Sequence, residues 1–214
     1  MLLKEILLPA LWDTIYMVVL ATIFSTIIGF ILAILLVVTE KTGLRPNKAI
    51  FNILDFTINV LRSFPFIILM IAIFPFTKFI VGKSIGTTAA IVPLTIGAAP
   101  FAARVIQSAL KEVDPGVIEA AKSFGASNFQ ILYKVMIKEA MPSIIMGITL
   151  TIINLIGYSA MAGAIGGGGL GDVAIKYGYY RFRTDIMIYT VLILIVLVQF
   201  LQSLGYVIYK SLNK

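Results

Sequence analysis

The stretch Glu119-Ala120-Ala121-Lys122-Ser123-Phe124-Gly125 lies within residues 107–141, the one long polar segment of an otherwise apolar chain. At about 35 residues, that segment is too long for a structureless loop without a function. Its residues spell two helices. Asp114-Pro115 is a start signal: an acid at the N-cap, then proline at the first helical position, where a missing N–H costs nothing. Val117, Ile118, Ala121 and Phe124 follow at helical spacing and predict one apolar face. Gly125 predicts the stop, because glycine takes the left-handed conformation without steric cost. Ser127 and Gln130 stand three apart as a capping box. A second helix is expected from there to about Lys138, with Phe129, Leu132, Val135 and Met136 apolar, and Pro142 is expected to open the next apolar run. Helices this short hold their shape only when packed. They are either an amphipathic pair on a membrane surface or a handle for another protein.

The composition is that of an integral membrane protein. Of 214 residues, 60% are hydrophobic and 13% charged, and the mean hydropathy is +1.03. Soluble domains average roughly 45–50% apolar. The chain has no cysteine and no histidine, which excludes disulfides, thiol nucleophiles, imidazole bases and most transition-metal sites. An intramembrane enzyme would lack the usual nucleophile–base pairs. The net charge of +7 is read as loop lysines and arginines of a membrane protein, not as a nucleic-acid footprint. No cleavable signal peptide is expected, since the first apolar run exceeds an h-region of about 7–15 residues.

A span needs about 20 apolar residues. Five segments qualify: residues 14–38, 58–79, 87–106, 143–165 and 186–209. Pro65 and Pro75 interrupt the second, Pro93 and Pro100 the third. They are either tolerated kinks or bends bordering a pathway. With the amino terminus outside, the inner loops carry Lys41, Arg45, Lys48, Arg62, Arg104, Lys111, Lys122, Lys134, Lys138, Lys210 and Lys214. The outer side carries Lys4, Lys78, Lys83, Lys176, Arg181 and Arg183. This excess of roughly two to one follows the positive-inside rule, although the loop at 177–183 runs against it. Five spans then leave the carboxyl terminus inside. Trp12, Tyr16, Tyr206 and Tyr209 fit as interfacial anchors. No domain boundary is visible, so residues 1–214 are read as one membrane domain. All ten acidic residues fall near span ends or in loops, which argues against a proton-coupled carrier. A sodium site built from backbone carbonyls stays open.

Glu119-Ala120-Ala121 followed by Gly125 resembles the EAA loop of ABC importer permeases. That pattern continues with Ile-x-Leu-Pro. Here Val135 and Ile137 hold the aliphatic positions, Lys138 replaces the proline, and Pro142 lies four residues later. Arg62-Ser63-Phe64-Pro65-Phe66-Ile67 and the run from Tyr158 to Gly171 look like the methionine-uptake members of the family, and the resemblance covers nearly the whole chain. It implies an all-α membrane protein with the type I ABC importer permease fold: five transmembrane helices with two short cytoplasmic coupling helices. It also implies a homodimer in a bacterial-type cell membrane. Two copies of an ATP-binding subunit would hold the ATP and Mg²⁺ and engage Glu119, Ala120, Ala121 and Gly125. An extracytoplasmic substrate-binding protein would deliver methionine of either hand, or a methionine-containing compound. This chain itself would need no cofactor, metal or catalytic residue. The alternatives are an importer for another amino acid or osmolyte, and a stand-alone carrier or channel.

Residues 166–171 satisfy G-x-G-x-x-G by letter. That fingerprint requires a strand before it and a helix after it in a βαβ unit. Here it follows a membrane span, so a tight outer loop is expected instead. Gly82-Lys83-Ser84 imitates the end of a phosphate loop, but Thr77 stands where the leading glycine belongs. In the fourth span, Asn154, Tyr158, Ser159 and Met161 lie beside Gly157, Ala160 and Gly163. They form either a packing face or the lining of a translocation pathway, with flexible, apolar Met161 as its gate. Thr95 and Gln199 are read as hydrogen-bonding groups of the pathway or as interhelical glue.

Overall fold

The computed structural model describes residues 3–212. Of the loop cations, Lys214 and the Lys4 side chain lie outside the described residues. A π turn (Leu3–Leu7) leads into α1 (Leu8–Thr39), followed by α2 (Lys48–Ser63), α3 (Phe66–Ala72), α4 (Phe74–Val81) and α5 (Thr87–Lys111). The short α6 (Pro115–Ser123) precedes α7 (Asn128–Gln130), which passes through a second π turn (Ile131–Met136) into α8 (Ile137–Ala164). The chain closes with α9 (Gly169–Val173), a third π turn (Ala174–Tyr179) and α10 (Thr184–Leu212). The all-α membrane architecture read from the sequence is the one found. Four helices are long and apolar enough to cross a bilayer, or five if a bent pair counts as one span.

The second span departs from the expected residues 58–79. Its first helix, α2, starts at Lys48, and its axis turns by 104° before α3. Proline forces the residue before it out of the helical region. Phe64 is accordingly extended, at φ −71° and ψ 129°, and Pro65 caps α3. The chain therefore breaks at Pro65 where a kink was one of the expectations. Pro75 sits in the first turn of α4, where no N–H is missed. Pro93 and Pro100 lie inside α5, which runs on to Lys111, past the expected end at residue 106. Pro142 likewise lies inside α8 and opens nothing. The second short helix of the polar segment is instead the leading end of the fourth span, one helix from Asn128 to Ala164.

The bundle is held by close approach of small side chains. Against α1, α5 places Ala98, Ala99, Ala102 and Ala103, all buried. A Cβ added to Gly29 of α1 would stand 2.7 Å from the Ala102 Cβ and 2.9 Å from the Ala103 nitrogen. Without a hydrophobic drive between helices in lipid, such backbone proximity is what supplies dispersion contact. One core layer joins Met17, Ala21, Leu94, Ala98, Leu155 and Ile156. A second, toward the other end, joins Ala33, Val37, Ile106, Leu110, Ile131 and Met136.

The glycine-rich run closes the end of the bundle at which α1 begins. Gly166, Gly168 and Gly169 all have positive φ. The buried Thr14 hydroxyl accepts the Leu170 N–H at 2.8 Å and donates to the Ala10 carbonyl at 3.0 Å. The Gly86 N–H donates to the Gly166 carbonyl at 3.1 Å. This is the tight loop expected from the sequence. By contrast, α10 is peripheral and buries only Ile186, Thr190 and Gly205.

Gly29→Leu is expected to overpack the α1–α5 crossing and cost about 1–3 kcal/mol, read as a fall of several degrees in the thermal transition of detergent-purified protein. Gly157→Ala, where an added Cβ meets nothing within 4 Å, serves as the neutral control.

Candidate functional site

The polar segment builds α6 from both ends. The Asp114 carboxylate accepts the Gly116 N–H at 2.7 Å, and Pro115 occupies the first turn. At the other end the Gly125 N–H donates to the Lys122 carbonyl at 2.9 Å, and the Ala126 N–H reaches back to the Ala121 carbonyl at 3.1 Å. This pair of bonds is a Schellman closure, which requires a left-handed residue at the glycine. Gly125 has φ +78°, and a Cβ there would meet nothing within 4 Å. Glycine is needed for its backbone angle, not for room. The capping box forms as the sequence indicates: Gln130 N–H to Ser127 Oγ at 3.3 Å, and Ser127 N–H to Gln130 Oε1 at 2.8 Å. Asn128 Nδ2 donates to the Leu44 carbonyl at 3.0 Å, tying the second helix to the loop after α1.

The apolar face is narrower than the spacing suggests. Ile118, Ala121 and Ala126 pack on the second core layer. Phe124 does not join them: it is 91% exposed, and Phe129 is 72% exposed. Tyr133 is also exposed, its ring stacked on Phe129 at 6.0 Å. Glu119 and Ala120 are exposed and Ala121 is half-buried. Three aromatic rings thus stand uncovered around the Gly125 turn, a placement with no reward from packing in the isolated chain. Exposed apolar groups of this kind mark a protein or membrane interaction surface. On its other flank α6 borders a cavity of about 420 Å³, lined by Glu40, Leu44, Lys111, Ile118, Glu119 and Met136. Lys111 and Glu40 pair at 2.7 Å beside it.

The fourth-span candidates divide. Met161 is 44% exposed and Asn154 half-buried. Seven residues apart, they share one open stripe of α8 with Leu150 and Gly157. Tyr158 lies at its edge, its ring stacked on Phe66 of α3 at 4.4 Å. Ser159 is only 2% exposed, and its hydroxyl donates to the Ile156 carbonyl at 2.8 Å. It faces the packed side, away from Met161. Thr95 is buried with an unpartnered hydroxyl, and Gln199 lies exposed on α10.

One group of functional-looking residues escaped the sequence reading. Arg104 of α5, counted there only as a loop cation, pairs with Asp55 of α2. It also donates to Asn59 Oδ1 at 2.9 Å and to Gln107 Oε1 at 2.8 Å. Asp55 and Asn59 are one helical turn apart on α2, Asp55 half-buried and Asn59 exposed, beside the packed face of Phe51, Leu54 and Ile58. Nothing in the local spacing singles these residues out, because a second span beginning at residue 58 leaves Asp55 in a loop.

Residues 25–214 match the family model described as "Binding-protein-dependent transport system inner membrane component". A Vibrio cholerae protein, "Probable D-methionine transport system permease protein MetI", is 53% identical over 202 residues, covering 94% of this chain and 90% of the relative. The Bacillus subtilis "Methionine import system permease protein MetP" is 46% identical over 180 residues, covering 84% and 81%. A crystal structure described as "Inward facing conformations of the MetNI methionine ABC transporter" superposes with a TM-score of 0.97 at 40% identity, covering 99% of this chain and 98% of its own.

Gly125→Val is expected to strain the turn by about 1–2 kcal/mol and to speed amide exchange at Ala126. Gly125→Asn, which tolerates the left-handed region, should leave that exchange near wild type. Equal protection in both variants would remove the argument for the φ requirement.

Proposed function

This chain belongs to the binding-protein-dependent transport system inner membrane components, and we propose that it is the permease subunit of an ATP-driven importer for methionine, of either hand, or a methionine-containing compound. Family members are transport subunits rather than enzymes. The observation that carries the reading is the aromatic, glycine-closed tip of α6 and the start of α7, exposed at one end of a membrane bundle. The methionine names of the relatives support the substrate.

The working unit is a homodimer of this chain bearing two ATP-binding subunits, which hold the ATP and Mg²⁺. The α6 end faces the cytoplasm, the amino terminus lies outside, and the carboxyl terminus lies inside. An extracytoplasmic binding protein loads the outer mouth. Each ATP-binding subunit receives Phe124 and Phe129 in a cleft, with Glu119, Ala120 and Ala121 along its wall and Gly125 at the bend. Motion of that cleft reaches the bilayer by two routes. One is the seam of Ile118, Ala121 and Ala126 against the second core layer. The other is the helix from Asn128 to Ala164, about 55 Å long, which joins the grip to Asn154 and Met161 without an intervening loop. Met161 on the open stripe is suited to close an apolar gate against its twin across the dimer axis. Tyr158, stacked on Phe66, links that gate to the broken second span. The close likeness to an inward-facing transporter supports reading this conformation as the state before ATP binding.

The test is reconstitution in liposomes with the ATP-binding subunit and the binding protein. Labelled methionine should accumulate only with ATP. Uptake without the ATP-binding subunit, or competition by other amino acids but not by methionine, would overturn the proposal. Phe124→Ala should lower substrate-stimulated ATP hydrolysis and uptake at least tenfold while leaving membrane insertion unchanged, since a buried aromatic anchor at an interface is worth about 2 kcal/mol or more.

A further inference from the structure

At the end of the bundle opposite α6, the turn before α10 carries a feature the transport reading does not use. Phe182 is the one non-glycine residue with positive φ among the described residues, at +54°. A bulky residue held in that region is strained, and such strain points to function. Phe182 is also 86% exposed, so no packing in this chain rewards the strain. The turn is nonetheless firmly built. Arg183 N–H donates to the Tyr177 carbonyl at 3.1 Å, and Tyr180 N–H to the Ile175 carbonyl at 2.9 Å. Gly178 is seated so closely on α10 that a Cβ there would lie 2.8 Å from Met187 Cε.

The charges on this turn are unevenly satisfied. Lys176 pairs with Asp172 at 2.8 Å. Arg183 makes two bonds to Asp185, at 2.9 and 2.7 Å. Arg181 has no carboxylate partner among the described residues; its guanidinium lies 4.7 Å over the Tyr177 ring, which fixes its plane. Three cations against two acids leave one unspent positive charge, presented as a rigid fork. Around it stand the exposed rings of Tyr179, Tyr180 and Phe182. Below it, Ile188 and Leu192 of α10 are exposed too. Ile188 is four residues into the helix, about 6 Å along its axis, so the ring belt runs directly onto a bare apolar helix face.

We propose that Arg181, held by Tyr177 and surrounded by Tyr179, Tyr180 and Phe182, binds the phosphate of an anionic phospholipid at the head of α10. The assignment rests on the membrane-spanning reading of α10. The planar guanidinium matches phosphate oxygens in pairs, and one uncompensated cation matches a lipid of single negative charge. Interfacial rings flank the headgroup, and the acyl chains lie on α10. Specific lipid at this point also gives a reason for the cations that break the inner bias of the other loops.

The test is native mass spectrometry of the full chain in detergent, titrated with phosphatidylglycerol or phosphatidylcholine of matched tails. The wild type should retain phosphatidylglycerol about fivefold better, the expected value of one interfacial cation. Arg181→Gln should abolish that preference, Arg181→Lys should restore part of it, and Lys83→Gln should leave it intact. Phe182→Gly, which suits the backbone angle but removes the ring, should weaken both lipids. No preference in the wild type, or an undiminished one in Arg181→Gln, overturns the proposal. So does an Arg181→Gln chain that keeps its lipid but no longer captures purified extracytoplasmic binding protein, which would assign the patch to a protein. Release of the chain from membranes by alkaline carbonate would instead sink the spanning reading itself.

Discussion

A force applied to α6 itself enters the bundle through one small apolar seam, beside the direct route of the continuous helix that begins at Asn128. Ile118, Ala121 and Ala126 join Val37, Leu110, Ile131 and Met136 in the second core layer. Two of the three donors are alanines, so the contact works by close approach rather than by bulk. The ion pair of Lys111 and Glu40 adds little beside it, because exposed pairs contribute roughly 0–1 kcal/mol. No residue of α6 is fully buried. The element is fastened on one side only, with the 420 Å³ cavity on its flank. Such an attachment holds the helix in place without freezing it, which suits a part that must follow a moving partner.

The aromatic rings around Gly125 complete that asymmetry. In the isolated chain they expose apolar area for no return, while the same rings set into a cleft would bury it. The Schellman closure fixes where they point. Its two backbone bonds hold the turn on which Phe124 stands exposed. Local backbone chemistry, with little help from side-chain packing, therefore shapes this exposed tip.

Much of this was legible in the residues. Asp114-Pro115, Gly125 and the Ser127–Gln130 box read correctly because caps are local: each needs only its own neighbours to act. Four of the five apolar spans were found where expected, though not at their expected ends, because lipid forces every backbone group to bond within its own segment. The failures are all non-local. Phe124 shares the spacing of Ile118 and Ala121, and only the position of the core reveals that it lies beyond the packed arc. Ser159 differs from Met161 by two residues, which on a helix is half a turn. The prolines behaved in three ways: Pro65 broke the chain, Pro75 sat harmlessly in a first turn, and Pro93, Pro100 and Pro142 were absorbed. Neighbouring helices decide which, and their identity is not written beside the proline. The Arg104 cluster was invisible for the same reason, since its members are about 45 to 49 positions apart.

Pro142 has a further effect where it stands. Lacking an N–H, it leaves the Lys138 carbonyl without its usual axial donor, just after the wider turn at Ile131–Met136. The helix that joins the α6 end of the bundle to the opposite end thus keeps its axial continuity while losing one backbone bond near its base. Such a rod acts as a pushrod with a wrist, able to pass thrust along its axis while yielding sideways at the missing bond.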